Sequence, residues 1–241
     1  TAFVSSNVTR TYYTDINTGK WGRPGGIKVA DFDGDGKLDL WGAMSGNDPL
    51  AITLKNTSSS SSAISFQSQG FIGSFACYGA ALTDFNNDGL PDLFFTGNMV
   101  SNKLYLNKGG FEFNDITDES KLNSQDLWST GIAIADVNAD GWMDIYVCAA
   151  MHEKNRTNRL YINQGPNANG VPTFLEQAEA YGVGDSGNSM AATFIDYDKD
   201  GDLDLYVVNN EQNESIPTNY RKKVIDGSAV SNDKLYQNNG K

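Results

Sequence analysis

Apolar residues in this chain occur in short runs, and the same order of runs returns four times. A short alternating run, such as 111–115, comes before a run of small residues, such as 131–135. An acidic loop follows, then a run rich in β-branched and aromatic residues and a closing run such as 159–163. Runs of this composition bounded by turn residues are typical of β-strands. The pattern therefore predicts an all-β chain in which each unit contributes four antiparallel strands.

The predicted strands keep the same order in every unit. Small-residue strands lead into the acidic loops, and apolar strands leave them, so each loop becomes a hairpin between the first two strands of a unit. The closing third strands are 52–56, 103–107, 159–163 and 234–238, and the outer fourth strands are 12–15, 64–66, 111–115 and 173–175.

Nine-residue acidic loops provide the chemistry of the repeat. They span 31–39 (loop 1), 84–92 (loop 2), 136–144 (loop 3) and 196–204 (loop 4). Positions 1, 3, 5 and 9 carry side-chain oxygens, position 6 is a glycine that permits a sharp turn, and position 7 is expected to contribute its backbone carbonyl. The predicted ligands are Asp31, Asp33, Asp35, Lys37 and Asp39; Asp84, Asn86, Asp88, Leu90 and Asp92; Asp136, Asn138, Asp140, Trp142 and Asp144; and Asp196, Asp198, Asp200, Asp202 and Asp204.

Calcium is the cation that this pattern favours, because it accepts six to eight oxygen ligands, including carbonyls, in a flexible shell. An EF-hand starts with the same spacing but needs a glutamate at position 12 and flanking helices. Here position 12 is Gly42, Phe95, Val147 or Val207, and the flanks resemble strands. The alternative, that these Asp- and Gly-rich loops are only turn formers, is weakened by four copies in register. We predict about four Ca²⁺ ions, one per repeat.

The spacing of the loops predicts a β-propeller, since their starts lie 53, 52 and 60 residues apart. Propeller blades are four-stranded units of about this length. The predicted strands begin with an outer fourth strand (12–15) and end with a third strand (234–238), so the two could complete one blade. We predict a single domain over 1–241. Either four blades close into a ring, or they form part of a larger one.

The acidity of the chain originates in the loops. The formal net charge is −12, from 30 acidic and 18 basic residues. The loops hold nearly half of the carboxylates, and the remainder of the chain is close to neutral. No basic stripe indicates nucleic-acid binding, no apolar run is long enough to span a bilayer, and residue 1 does not begin a signal sequence. We expect a mature or trimmed segment. Cys77 and Cys148 are expected to be buried free thiols, with a disulfide between them as the alternative.

The loops, together with the Asn-x-Leu-Tyr-x-Asn pattern of 102–107 and 158–163, resemble the FG-GAP/VCBS repeat of integrin-like β-propellers. The segments 125–148 and 191–206 resemble the bacterial secreted proteins of the ASPIC/UnbV group. This resemblance implies a calcium-stabilised propeller, usually of seven blades, that acts in adhesion or glycan handling at cell surfaces. The present chain has four repeats and no ASPIC segment.

These features indicate a secreted or cell-surface binding module for a protein or glycan, and not an enzyme. The single histidine, His152, is not expected to pair with Cys148, four residues away across the end of a strand, and no phosphate-binding glycine loop is present. The alternative is a carbohydrate-active domain, either a lectin or part of a polysaccharide lyase or hydrolase. Contacts are expected from the loop face opposite the calcium loops. The candidates are Trp21, Tyr78, Trp128, Arg156, Tyr181, Tyr220 and Arg221.

Overall fold

The fold was analysed in a computed structural model of the chain. It describes residues 23–45, 50–60, 65–74, 77–97, 100–122, 124, 127–150, 156–210, 229 and 231–240. For residues 23–27, 43–45, 50–52, 70–74, 77 and 78 only the backbone is described.

Fifteen strands and no helix form the described part of the chain, which confirms the all-β prediction. None of these residues belongs to a helix long and apolar enough to cross a membrane. The strands are β1 (Arg23–Ala30), β2 (Asp39–Ser45), β3 (Leu50–Asn56), β4 (Phe66–Ser74), β5 (Cys77–Thr83), β6 (Asp92–Gly97), β7 (Lys103–Asn107), β8 (Phe113–Asp115), β9 (Ser129–Ala135), β10 (Asp144–Ala149), β11 (Arg159–Pro166), β12 (Pro172–Glu176), β13 (Ser189–Ile195), β14 (Asp204–Asn209) and β15 (Lys234–Tyr236).

The strands form four antiparallel sheets, each a simple meander in chain order, as in propeller blades. The first three sheets are β1–β4, β5–β8 and β9–β12, and the fourth has the three described strands β13–β15. Each acidic loop joins the first and second strands of its sheet, as predicted; in loop 1, for example, Ala30 pairs with Asp39. The outer strand β4 is longer than predicted, because its pairing with β3 continues to Ser74.

The sheets lie side by side along their first strands, so that β1 contacts β5, β5 contacts β9, and β9 contacts β13. Small residues permit this approach: a Cβ atom at Gly131 would lie 2.7 Å from the Cα of Ala191, and one at Gly79 would lie 2.9 Å from the carbonyl oxygen of Thr130. Among the described strands, no comparable contact joins β13 to β1. Along the described strands, contacts of this kind therefore join the four sheets in the order of the chain.

A separate apolar core fills each of the three spaces between neighbouring sheets. Aromatic residues of one sheet pack there on aliphatic or aromatic residues of the next; the rings of Trp41 and Phe95 lie 4.9 Å apart. Residues of the first core include Phe32, Trp41, Leu93, Phe95 and Tyr105; of the second, Phe85, Phe94, Ile145, Val147 and Phe174; of the third, Tyr146, Cys148, Phe194, Leu205 and Val207.

Candidate metal centres

The aspartate at position 1 organises each of the first three loops through backbone N–H groups. In loop 1, Asp31 Oδ1 accepts hydrogen bonds from Gly34 N at 2.8 Å and Asp35 N at 3.1 Å, and its Oδ2 accepts one from Gly36 N at 2.7 Å. Asp84 and Asp136 make the corresponding bonds to the residues at positions 5 and 6 of their loops. The carboxylate is thus held inside the turn.

Tight turns in the loops require the left-handed backbone conformation at positions 4 and 6. The position 6 glycines have φ between 82° and 99°, as predicted from their need to turn sharply. Position 4 is also left-handed but is a glycine only in loop 1; Asn87, Ala139 and Lys199 adopt φ of 55°, 56° and 66°. A non-glycine residue in this conformation has a backbone strain energy of about 1 kcal/mol or more. Other interactions in the loop must therefore hold the backbone in this conformation.

Position 9 has a second role that the sequence did not reveal. Asp39, Asp92, Asp144 and Asp204 are fully buried. In every loop, Oδ2 accepts a hydrogen bond from the backbone N–H at position 2, and Oδ1 accepts one from the backbone N–H of an asparagine in or just after the third strand. The four asparagines are Asn56, Asn107, Asn163 and Asn238. The recurrence of an asparagine at this place in every repeat was the feature of the sequence that could have indicated this role.

Two of these asparagines also link neighbouring sheets. Asn107 Nδ2 donates to the carbonyl oxygen of Phe32 at 3.1 Å, and Asn163 Nδ2 donates to that of Phe85 at 2.9 Å. Phe32 and Phe85 occupy position 2 in the loop of the preceding sheet. A continuous set of buried hydrogen bonds therefore runs from loop 1 to loop 2 and from loop 2 to loop 3.

Carboxylates gather most closely in loops 1 and 4. One oxygen each from Asp31, Asp33 and Asp39 lies within 4.8 Å of the others, and Asp196, Asp198 and Asp204 form the same arrangement. Loops 2 and 3 have an asparagine at position 3, whose Nδ2 donates to the carboxylate at position 5. Their oxygen donors are therefore one amide carbonyl and three carboxylates, a set that still suits a hard cation.

An unpartnered oxygen in loop 4 fits a cation. Asp196 Oδ1 is buried and has no hydrogen-bond partner, whereas its equivalents in the other loops accept backbone N–H groups. In loop 1 a side-chain cation already lies on the carboxylates: Lys55 Nζ contacts Asp33 and lies 3.1 Å from Asp35 Oδ2. Lys55 lowers the pKa of Asp35. A metal ion in loop 1 would therefore have to displace this lysine.

Burial changes the acidity of position 9. It raises the pKa of Asp92 to about 7 and that of Asp144 to about 6, although the backbone N–H groups of Asn107, Phe85, Asn163 and Val137 partly offset this. It also raises the pKa of Asp39. Like charges at positions 1 and 5 add to the effect in loops 2 and 3. A bound cation would favour the ionised forms.

A pH dependence of stability follows for the metal-free protein. Because the pKa of Asp92 and Asp144 is higher in the folded than in the unfolded chain, the folded state binds more protons between about pH 4 and pH 7. The free energy of unfolding should therefore decrease as the pH rises through this range. We expect the melting temperature in chelator to fall by about 5 °C or more from pH 5 to pH 7.5. In calcium the fall should disappear, and an equal fall in both buffers would contradict the assignment.

The predicted partner-binding residues do not form one cluster in the described structure. Trp128 is half-buried, and Arg156 is exposed, with Nε donating to the carbonyl oxygen of Ser186 at 2.8 Å. Tyr181 is 42% exposed but lines a cleft with Val137 and Leu203, and its pKa is raised by burial and by nearby Asp144 and Asp140. Tyr181 therefore lies close to loop 3, and its role in partner binding stays a prediction.

The other four candidates add no side-chain contacts to this description. Tyr78 lies in β5, of which only the backbone is described at that position, and Trp21, Tyr220 and Arg221 lie outside the described residues. Of the two cysteines, Cys148 is a buried free thiol, as predicted, and burial raises its pKa to about 12.

Comparison with known families gives a match to the model of the FG-GAP-like repeat, at residues 84–147 and again at 148–207. These segments contain loops 2, 3 and 4 and cover about half of the chain. The chain belongs to the FG-GAP-like repeat family. The closer resemblance to the ASPIC/UnbV group stays a prediction.

Two curated relatives are similar to a large part of this chain. A T-cell immunomodulatory protein homologue of Plasmodium yoelii yoelii is 28% identical over 190 residues, which cover 71% of this chain and 24% of that protein. A homologue of the same description from Plasmodium falciparum (isolate 3D7) is 26% identical over 172 residues, which cover 64% and 21%. The chain thus spans less than a quarter of the length of these curated relatives.

Proposed function

We propose that this chain is a calcium-stabilised, extracellular β-propeller module that binds a protein partner and carries out no chemistry of its own. The observation that carries the proposal is the recurrence of one oxygen-lined loop in all four sheets, with three carboxylates within 4.8 Å of one another in loops 1 and 4. The ligands are the side chains at positions 1, 3, 5 and 9 and the carbonyl at position 7.

Calcium would stabilise the closed conformation of the loop in each hairpin. Without a cation, carboxylates held this close repel one another and favour an open loop. With calcium, their charges are compensated, and the buried aspartate at position 9 stays ionised while it accepts two backbone N–H groups. Since two of those N–H groups belong to Asn107 and Asn163, which also bond to the preceding sheet, the ion would stabilise both a hairpin and the contact between two sheets.

The partner protein would bind to the face opposite the acidic loops. Connections on a rigid scaffold are the usual carriers of binding residues, and the exposed Arg156 and the half-buried Trp128 lie in such connections. Arginine and tryptophan are common in the energetically dominant parts of protein interfaces. Low-affinity calcium loops are filled at the millimolar calcium concentrations found outside cells, which supports an extracellular site of action. We treat 1–241 as one domain.

Binding to cells would test this function. The matched relatives are described as homologues of a T-cell immunomodulatory protein, so T cells are the first cells to test. We expect saturable binding of labelled protein in calcium and its loss in chelator. Trp128→Ala and Arg156→Ala should each weaken binding by about 10-fold or more without loss of calcium.

Asp136→Ala provides the contrasting variant in this experiment. It should lose the ion of loop 3 and lower the melting temperature by about 5–10 °C, whereas Trp128→Ala should retain all ions. Binding that is indifferent to both calcium and the two face variants would contradict the proposed function, as would inhibition by free glycans alone.

A further inference from the structure

One position in the third strand of each sheet distinguishes the acidic loops from one another. It comes immediately before the asparagine whose backbone N–H donates to position 9, and we call it the pre-asparagine position. Lys55 and Gln237 occupy it in the first and fourth sheets, and each donates to a carboxylate of its own loop. Leu106 and Ile162 occupy it in the second and third sheets and are buried in the apolar cores. The position therefore carries a hydrogen-bond donor in two sheets and an aliphatic side chain in the other two.

The donors at the pre-asparagine position accompany an additional carboxylate. Position 3 is an aspartate, Asp33 or Asp198, in the two loops that have such a donor, and an asparagine in the two that do not. In loops 2 and 3 the Nδ2 of this asparagine donates to the carboxylate at position 5, at 3.0 and 2.9 Å. In every loop a side-chain N–H group thus lies on the carboxylate at position 3 or 5, and the loops differ in where that group comes from.

Lys55 differs from the other donors because it carries a positive charge. Its Nζ contacts Asp33 and lies 3.1 Å from Asp35 Oδ2, so one ammonium group bridges two of the four carboxylates at the ligand positions of loop 1. The side chain of Asp33 is only 7% exposed, and water therefore screens this contact less than it screens an ion pair on the open surface. Lys55 lies on the same carboxylates that a calcium ion would bind.

We propose that Lys55 is a built-in substitute for calcium in loop 1, which holds this loop closed when calcium is scarce and lowers its affinity for the ion below that of loop 4. The inference rests on the proposed function, because that proposal assigns calcium to the loops. The ammonium group and a divalent ion compete for the same oxygens and repel each other. Calcium must therefore release Lys55 before all of its ligands in loop 1 are available.

Loop 4 is the proper comparison for loop 1, because both have aspartate at positions 1, 3, 5 and 9. Its pre-asparagine residue, Gln237, is neutral and can be displaced without opposing the charge of the ion. When a site is competent in only a fraction of the molecules, its apparent affinity falls by that fraction. If Lys55 occupies loop 1 in about nine molecules of ten, calcium binds there about 10-fold more weakly than without the lysine.

Thermal unfolding of Lys55→Met tests both parts of the proposal, because methionine retains a long apolar side chain and removes the charge. In chelator the variant should melt about 3 °C or more below the wild type, since the carboxylates of loop 1 have lost their cation. In saturating calcium this difference should vanish or reverse, because the ion has already replaced the lysine in the wild type. An equal decrease in both buffers, or no decrease in chelator, overturns the proposal.

Lys103→Met is the matched control for the melting experiment. Lys103 also lies in a third strand and pairs with Asp115, at 2.8 Å between Nζ and Oδ2, and the two side chains are 35% and 38% exposed. Asp115 is not one of the predicted ligands. Removal of this lysine should therefore change the melting temperature by the same amount with and without calcium. If the two lysine variants respond to calcium in the same way, Lys55 has no special role in loop 1.

Calcium titration against a competing chromophoric chelator measures the affinity of loop 1. Asp31→Asn, which neutralises the ligand at position 1, identifies the binding step that belongs to this loop. We expect that step to be about 10-fold or more tighter in Lys55→Met than in the wild type, with the steps of the other loops unchanged. Gln237→Lys transfers the ammonium group to loop 4 at an exposed position and should weaken the step of that loop by a similar factor.

The titration separates this inference from the proposed function. If the wild type and the variants bind no calcium at all, both the calcium-stabilised module and the role of Lys55 are overturned. If calcium binds but the step of loop 1 has the same affinity in the wild type and in Lys55→Met, only the role of Lys55 is overturned, and the proposed function stands.

Discussion

Removal of calcium should lower the melting temperature of this protein by about 20–40 °C. Each ion that binds the folded chain at about 100 times its dissociation constant stabilises it by about 2.7 kcal/mol. Four such sites would contribute about 10 kcal/mol, and each kcal/mol corresponds to about 2–4 °C for a chain of this length. Thermal unfolding followed by circular dichroism, with and without chelator, measures the effect.

The identity of the ion is tested in the same experiment. Added calcium should restore the melting temperature, whereas magnesium should restore much less, because it prefers a small octahedral shell and keeps several of its waters. Sodium chloride at equal ionic strength controls for screening of the loop carboxylates. A melting temperature that does not change on chelation would contradict a structural role for calcium.

Replacement of Asn163 by alanine should reduce the free energy of unfolding by about 3–4 kcal/mol. Its side chain donates to the carbonyl oxygens of Phe85 and Met143, at 2.9 and 3.2 Å, and accepts a hydrogen bond from Gly165 N. Asn163 is fully buried, so the substitution leaves these groups without partners in the core, and each such group costs about 1–3 kcal/mol. Urea unfolding in calcium gives the difference directly.

Asn238→Ala is the matched control for this prediction. Asn238 has the same place in the fourth repeat, but its Nδ2 donates only to Leu203 within its own sheet, at 3.4 Å, and the residue is partly exposed. We expect a cost of about 1 kcal/mol or less. Equal costs for the two substitutions would show that the bond from Asn163 to the preceding sheet adds nothing to stability.

The loops and their hairpins could be predicted from the sequence because both depend on local features. Regular spacing of Asp and Asn identified the acidic loops, Gly141 and its equivalents identified the turn, and apolar runs identified the strands. The backbone at position 6 indeed has φ near 90°. Information of this kind lies within about ten residues, where turn geometry and strand alternation are decided.

Features that depend on the neighbouring sheet could not be predicted in this way. The hydrogen bond from Asn163 to Phe85 joins residues 78 positions apart, and the contact of Lys55 with loop 1 depends on the register of β3. The position of Tyr181 beside Val137 likewise depends on packing between two sheets.

A crystal structure of this chain grown in calcium, with anomalous data collected to locate the ions, tests the central claim most directly. The account predicts one calcium ion in each of the four loops, ligated by oxygens of positions 1, 3, 5, 7 and 9, with Lys55 moved away from Asp33 and Asp35. Loops that contain no ion at millimolar calcium, with the strands nevertheless in place, would contradict it.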